Sequence, residues 1–294
     1  MDKKIIFITG CSSGIGLNAA MALHQRGHHV IASCRNKKDL AHLSDRHIET
    51  LLLDVNDSNS IHHAFKQLMQ MTNHRLDVLI NNAGYGQAGA LEDIPRDVLR
   101  AQFETNVFGL MELSARCIPI MRQQGHGRII NISSVLGIIS LPFRGAYNAS
   151  KYAVEGLSDT LRLELKPSGI EIITIEPGPI ESSFRKNAVE RSLQQLDLTQ
   201  SVHQTHYDTM LTSYQQSKST SVFTKGPEAV IKKLIHAIES PKPKAKYPVT
   251  LPTYLFIFLK RIFSTKLLDN LLLYISKKEL TPNKESDKRT TNAK

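Results

Sequence analysis

A short apolar run, Lys3-Lys4-Ile5-Ile6-Phe7-Ile8, leads directly into Thr9-Gly10-Cys11-Ser12-Ser13-Gly14-Ile15-Gly16. A segment carrying Ala19, Ala20 and Leu23 follows, closed by Gly27. Read as strand, glycine-rich turn and helix, this order constrains the fold more than any other feature of the chain. Glycines let a backbone turn sharply and approach a ligand closely, and the amides at the start of a helix favour a phosphate. The glycines at 10, 14 and 16 do not follow the common G-x-G-x-x-G order. Their position right after the first strand nevertheless predicts a dinucleotide site.

Three later runs repeat the arrangement. Leu76–Ile80 ends in Asn81-Asn82-Ala83-Gly84, Arg128–Ile132 in Ser133-Ser134, and Ile170–Ile175 in Glu176-Pro177-Gly178-Pro179. Apolar runs of this kind are expected of strands buried on both faces of a parallel sheet, and ligands bind such sheets at the carboxyl edge. The expected fold is α/β: a Rossmann-type doubly wound parallel sheet flanked by helices, one domain with a C-terminal helical extension. No period of 20–50 residues suggests a repeat architecture.

Tyr147 and Lys151 are four residues apart, which on a helix places them on one face. A free tyrosine, with a pKa of about 10, is a poor proton donor at neutral pH. A cation at ~4 Å, at an effective dielectric of ~20, is worth about 4 kcal/mol, so Lys151 is expected to bring that pKa down.

Taken together, Thr9–Gly16, Asn81–Gly84, Asn106, Asn131–Ser134, Tyr147–Lys151 and Pro177-Gly178 resemble, in order, the motifs of the short-chain dehydrogenase/reductase family. The resemblance covers roughly residues 3–250. It implies an NAD(P)-dependent oxidoreductase with Tyr147 as general acid or base. Lys151 would tune the tyrosine and hold the nicotinamide ribose. Ser134, thirteen residues before the tyrosine, would be the serine that holds the substrate oxygen, rather than Ser133. Asn106 falls within a helix expected from about Asp97 to Arg122, where asparagine is a poor interior residue. In the family an asparagine here bends the helix and positions a water of the proton relay. The implied cofactor contacts are Thr9, Gly10, Ser12, Ser13, Gly14, Ile15, Gly16, Arg35, Asp54, Val55, Asn82, Ala83, Gly84, Tyr147, Lys151, Pro177 and Gly178. A helix N-cap is the competing role for Asp54.

The second strand, His29–Cys34, ends without the acid that would bond a free ribose 2′-hydroxyl. Arg35, Lys37 and Lys38 follow, and a guanidinium can grip a 2′-phosphate, so NADP(H) is the expected cofactor.

Residues 1–250 are read as the NADP-binding catalytic domain. Within it, the polar, weakly periodic stretch 181–225 is expected to be a mobile substrate-binding flap. Thr224–Glu228 starts a helix whose apolar face uses Val230, Leu234, Ile235 and Ile238. Lys246–Thr250 resembles the last strand of the retinol and 17-beta-hydroxysteroid dehydrogenase branch. Residues 251–278 carry Leu255, Phe256, Leu259, Leu268 and Leu272 at helical spacing, too short and too charged to span a bilayer. They are expected to cover the core, a partner subunit or, through peripheral contact, a membrane. Residues 279–294 are expected to form a disordered tail.

The net charge of +10 comes without a nucleic-acid-binding motif, and the twelve histidines form no metal-binding pattern. Three cysteines without paired spacing suggest a reducing compartment, and the first residues do not read as a secretory signal, so cytoplasmic residence is expected. The reading is an NADP(H)-dependent carbonyl reductase or alcohol dehydrogenase acting on an apolar aldehyde or ketone. The family resemblance also implies a homo-oligomer, dimer or tetramer. A 3-oxoacyl-carrier-protein reductase is the alternative enzyme, and an NADP-binding sensor or scaffold the alternative class.

Overall fold

The computed structural model describes residues 2–181, 184–216 and 223–280. Along them run β1 (Ile5–Ile8), α1 (Gly14–Gln25), β2 (His29–Cys34), α2 (Lys37–Ser44), β3 (Glu49–Leu52) and α3 (Ser58–Met71). Next come β4 (Val78–Asn81), α4 (Arg96–Phe103), α5 (Gly109–Gln124), β5 (Gly127–Ile132), α6 (Gly145–Glu164) and β6 (Ile170–Glu176). The last third holds α7 (Phe184–Gln195), α8 (Gln204–Gln216), α9 (Glu228–Glu239), β7 (Lys246–Pro248), α10 (Leu251–Ile262) and α11 (Thr265–Leu280).

The strands form one parallel sheet in the order β3-β2-β1-β4-β5-β6-β7. The chain builds outward from β1 to β3 and returns to add β4 on the other side of β1. That reversal opens a crevice at the carboxyl ends of β1 and β4, where an open parallel sheet binds its ligands. Because strand side chains alternate, Ile6 and Ile8 face the layer of α1 and α9, with Ala20, Leu23, Val230 and Leu234. Phe7 faces the layer of α3 and α5, with Leu68, Leu113 and Met121. The sheet is thus dry on both faces, which accounts for the unbroken apolar runs. The expected doubly wound α/β architecture is the one observed.

The helix expected over Asp97–Arg122 is two α-helices joined by a π-helical segment, Glu104–Phe108, with Asn106 in its middle. Gly109 allows the bend to sit against the segment after β3: a Cβ there would lie 2.0 Å from the Val55 carbonyl oxygen. Asp54 does not cap a helix. Asp57 caps α3, accepting from Asn59 N–H at 2.9 Å, while Asp54 accepts from Asn56 N–H at 3.0 Å. The described residues of the 181–225 stretch are mostly helical, as α7 and α8. The expected tail lies outside the described residues from 281 onward.

Among the described residues no helix is long and apolar enough to cross a membrane. α10 and α11 pack one face on the protein, burying Thr253 and Leu272, and leave the other exposed.

Candidate active site

The glycine-rich turn and the Asn81–Gly84 segment form one structural unit. Gly10 has a φ of +71°, and a Cβ there would meet Ala83 Cα at 2.8 Å, so only glycine suits the position. Thr9 Oγ1 accepts from the backbone N–H of Asn82 at 3.0 Å and of Ala83 at 2.9 Å. The Asn82 amide donates back to the carbonyls of Thr9 and Gly10, both at 2.9 Å. A Cβ on Gly16 would lie 2.3 Å from the Gly10 oxygen. These contacts fix the entry of α1, whose N-cap, Ser13, makes no side-chain capping bond and whose first turn has no acid. Ser12 and Ser13 are exposed, with Gly14 and Ile15 half-buried beside them.

Cys34, at the end of β2, is buried, and its thiol is pushed up to about 11, first by burial and then by the nearby Asp39. Arg35 next to it is exposed and forms no ion pair among the described residues. A helix start with uncapped amides and a free guanidinium at the second strand end suit a pyrophosphate and a further phosphate. The residues present therefore fit a phosphorylated dinucleotide.

Asn106, buried in the π segment, is fully engaged by side chain. Its oxygen accepts from Tyr85 N–H at 3.1 Å, and its amide donates to the Tyr85 carbonyl and to Ser150 Oγ, each at 3.0 Å. Ser150 in turn donates to the Tyr147 carbonyl at 2.8 Å. Asn106 thereby ties the strand-end loop after β4 to the first turns of α6. Ser134 closes the end of β5, accepting from Leu136 N–H at 3.1 Å, and its hydroxyl lies close enough to Tyr147 to draw the pKa of the phenol down. Its neighbour Ser133 has a buried Oγ without a hydrogen-bond partner among the described residues. Val135 N–H donates to the Pro177 carbonyl at 2.8 Å, and a Cβ on Gly178 would meet Thr250 Oγ1 at 2.0 Å, so Pro177-Gly178 joins β5 to the start of α10.

Lys151 is buried on the Tyr147 face of α6, its ammonium 5.7 Å from the centre of the tyrosine ring and donating to the Ile132 carbonyl at 2.7 Å. The expected lowering of the Tyr147 pKa is not what this environment produces. Burial pushes the phenol up to about 12, with the Ser134 hydrogen bond pulling the other way. The ammonium bonds a strand carbonyl and faces the ring, so desolvation of the phenolate dominates. Lys151 itself is lowered to about 8 by burial, against the opposing charge of Glu155.

Sequence reasoning missed the acidic pair behind Lys151. Glu155 continues the four-residue ladder of α6, and Glu176 ends β6; both are buried. Lys246 donates to Glu155 Oε2 at 2.8 Å and lies 3.1 Å from Asp159. Glu176 is pushed up to about 7 by burial and then by Glu155, while Lys246 draws it down. The ladder spacing was the available signal for Glu155; for Glu176 it was a polar residue ending a buried strand.

The cover over this edge is likewise built from distant residues. Phe184 of α7 lies with its ring 5.6 Å from that of Tyr147, and Arg191 sits 3.9 Å over the Tyr85 ring. Tyr207 of α8 accepts from Ala90 N–H at 2.8 Å and donates to Asp93 at 2.7 Å. Phe143, at a positive φ of 58°, stacks on His206 at 3.5 Å. Between α6 and α11 opens a cavity of about 750 Å³, lined by Leu91, Leu141, Phe143, Asn148, Tyr152 and Leu272 among others. Among the described residues no group of three or more His, Cys, Asp or Glu is placed to hold a metal ion.

Comparison with known proteins agrees with this layout. The family model for short chain dehydrogenases matches residues 4–193. An uncharacterized oxidoreductase, YbbO, of Escherichia coli K12 is 41% identical over 270 residues, covering 92% of this chain and 94% of the relative. Human 17-beta-hydroxysteroid dehydrogenase type 1 is 34% identical over 264 residues, covering 85% of this chain and 78% of the relative. A short-chain dehydrogenase from Streptomyces avermitilis superposes with a TM-score of 0.74 at 26% identity, over 99% of this chain and all of that one (100%). A gluconate 5-dehydrogenase from Burkholderia cenocepacia, solved with NADP and tartrate, superposes with a TM-score of 0.61 at 27% identity, over 65% of this chain and 76% of that one. This chain belongs to the short-chain dehydrogenase/reductase family of oxidoreductases.

Proposed function

We propose that the chain is an NADP(H)-dependent oxidoreductase that interconverts an apolar alcohol and its aldehyde or ketone at Tyr147. The observation that carries this reading is the convergence of Tyr147, Ser134 and Lys151 at the carboxyl edge of the sheet that also carries the α1 turn. NADPH, when bound, supplies the hydride. Tyr147 Oη donates its proton to the carbonyl oxygen in reduction and takes it back in oxidation. Ser134 Oγ holds that oxygen as negative charge develops on it. The Lys151 ammonium holds the nicotinamide ribose and favours the tyrosinate once its proton has left. Asn106 positions the Tyr85 loop against Ser150 and so fixes the start of α6.

The choice of NADP rests on Arg35 and on the absence of an acid at Cys34, and the gluconate 5-dehydrogenase neighbour was solved with NADP. The apolar substrate class rests on the cavity lined by Leu91, Leu141, Phe143 and Leu272, and on the likeness to a hydroxysteroid dehydrogenase. Homo-oligomerisation through α5 and α6 is part of the same proposal.

Turnover of aldehydes and ketones graded by chain length, with NADPH as reductant, tests the reading. Catalytic efficiency should rise with apolar length. Preference for carrier-linked 3-oxoacyl groups would favour the carrier-protein reductase. NADPH binding without turnover across the panel would favour a sensor or scaffold.

A further inference from the structure

α10 carries Leu251, Tyr254, Leu255, Phe258 and Ile262 at steps of three and four residues, one stripe of a helix, each between 48% and 68% exposed. α11 continues the patch with Leu267 and Tyr274, exposed by 51% and 66%. Isolated exposed apolar side chains are ordinary, but seven on two successive helices are not. The stripe is held in this orientation. Thr253 is buried, and Phe256, Leu268 and Leu272 pack into the same apolar cluster as Tyr147. The Lys260 ammonium binds the Ile138 carbonyl and the Tyr152 hydroxyl, pinning the far end of α10 to the protein.

Charge says what covers the face. Between Leu251 and Lys277 the sequence holds four cations, Lys260, Arg261, Lys266 and Lys277, and one carboxylate, Asp269. Arg261 and Lys266 are exposed and make no ion pair among the described residues, and Lys233 of α9 lies 3.3 Å from the Tyr254 hydroxyl at the edge of the stripe. Asp269 is turned to the lining of the cavity. We infer that the outer face of α10 and α11 docks on an anionic lipid surface, both helices lying flat, with the apolar stripe between headgroups and Arg261 and Lys266 on phosphates. A second copy of the chain suits the face poorly, since it would bring Arg261 and Lys266 against an equally cationic patch. With 12 and 16 residues, neither helix reaches across ~30 Å of hydrocarbon.

The docking places the proposed active site close beneath the lipid. The inner faces of both helices share a cluster with Tyr147, and Leu272 and Leu273 line the cavity that reaches Leu141 and Phe143. An amphiphilic carbonyl compound held in the bilayer would thus enter beside α11. That consequence rests on the oxidoreductase reading; the docking does not.

The test is sedimentation of the full-length protein with vesicles of phosphatidylcholine alone or mixed with phosphatidylglycerol. Binding should require phosphatidylglycerol and weaken as salt screens it. Leu255→Asp with Phe258→Asp should abolish it. Arg261→Gln with Lys266→Gln should raise the lipid needed by about 30-fold, at ~1 kcal/mol per cation. Leu163→Asp, on the exposed side of α6, should leave vesicle binding unchanged. Melting temperature and elution volume are followed in each variant. The proposal is overturned by an absence of anionic-vesicle binding or by binding that survives the Leu255 and Phe258 pair. It is overturned equally if that pair converts a dimer to a monomer, which would make a second copy the occupant. Sedimentation reads no turnover, so failure of the docking and failure of the proposed chemistry are separate results.

Discussion

At the carboxyl edge of the sheet, the polar side chains at the centre of the site are tied to neighbours: Asn82 by the glycine turn, Asn106 by Tyr85 and Ser150, Lys151 by Ile132. On α10 and α11, polar and apolar side chains alike face outward from a short inner contact. The first region defines its chemistry internally, because strand ends held by a dry sheet leave little freedom to the groups they carry. The second is completed only by something outside the chain. Covalent chemistry needs placement within a fraction of an ångström, whereas adsorption to a surface needs only area and sign of charge.

The sharpest way to break this contrast is at Tyr147. Tyr147→Phe keeps the ring against Phe184 and removes only the proton donor. Turnover should fall by roughly a hundred- to ten-thousand-fold while melting temperature and NADPH affinity stay near wild type. Retained activity on a good substrate would show that placement at this edge is not what makes the chemistry.

The second test moves to the outer end of the same edge. Wild-type protein should prefer NADPH, and Cys34→Asp with Arg35→Ala should shift the ratio of catalytic efficiencies towards NADH by roughly tenfold to hundredfold, the worth of a charge-assisted hydrogen bond. Equal efficiency with both cofactors in the wild type would remove Arg35 from the proposed site.

What was legible in the sequence follows the same division. Strand ends were readable because apolar runs stop where the sheet stops: Thr9, Asn82, Ser134 and Pro177 all occupy the predicted edge. Asn106 was noticeable as a poor helix residue, and the chain there is π-helical. The electrostatics of the edge were not legible. Helical spacing placed Lys151 near Tyr147, but it could not say that the ammonium would bond Ile132 or that burial would outweigh its charge. Glu155 and Glu176 are paired by the packing of α6 on β6, and Tyr207 meets Asp93 across 114 residues of chain. Such contacts leave no local pattern. On α10 and α11 the apolar periodicity was visible, but not which of the two faces the protein would use.

Glu176 gives a pH test of the buried side of the comparison. Its carboxyl is held up to about 7 against an ordinary 4.5. An acid raised on folding contributes stability that is fully present below its unfolded pKa and is lost as pH rises through its folded pKa. The contribution of Glu176 to stability should therefore decline between about pH 4.5 and pH 7, and Glu176→Gln should remove that contribution. Lys151, lowered to about 8, stays protonated through this window in both states and adds no slope. Compared with its value near pH 4, the stability difference between variant and wild type near pH 8 should grow by on the order of 2–3 kcal/mol in the variant's favour. Parallel curves from chemical denaturation would mean that Glu176 ionises normally, and the edge would be wetter than its burial implies.

The smallest effect is expected where the two regions meet, at the cover formed by α7 and α8. The Tyr207 hydroxyl joins α8 to the loop at Ala90 and Asp93, while the ring is buried against Phe143 and its neighbours. Tyr207→Phe keeps the ring and removes the hydroxyl, leaving Ala90 N–H and Asp93 to find other partners. The net loss should be about 1 kcal/mol, and it should fall on closure of the cover rather than on the sheet. KM for an apolar substrate should then rise by roughly fivefold, with kcat and melting temperature nearly unchanged, since Tyr147, Ser134 and Lys151 do not touch the altered bond. An equal fall in kcat would mean that α8 helps place the reacting groups. In that case the cover belongs with the internally fixed edge, and the outward-facing region begins only at α10.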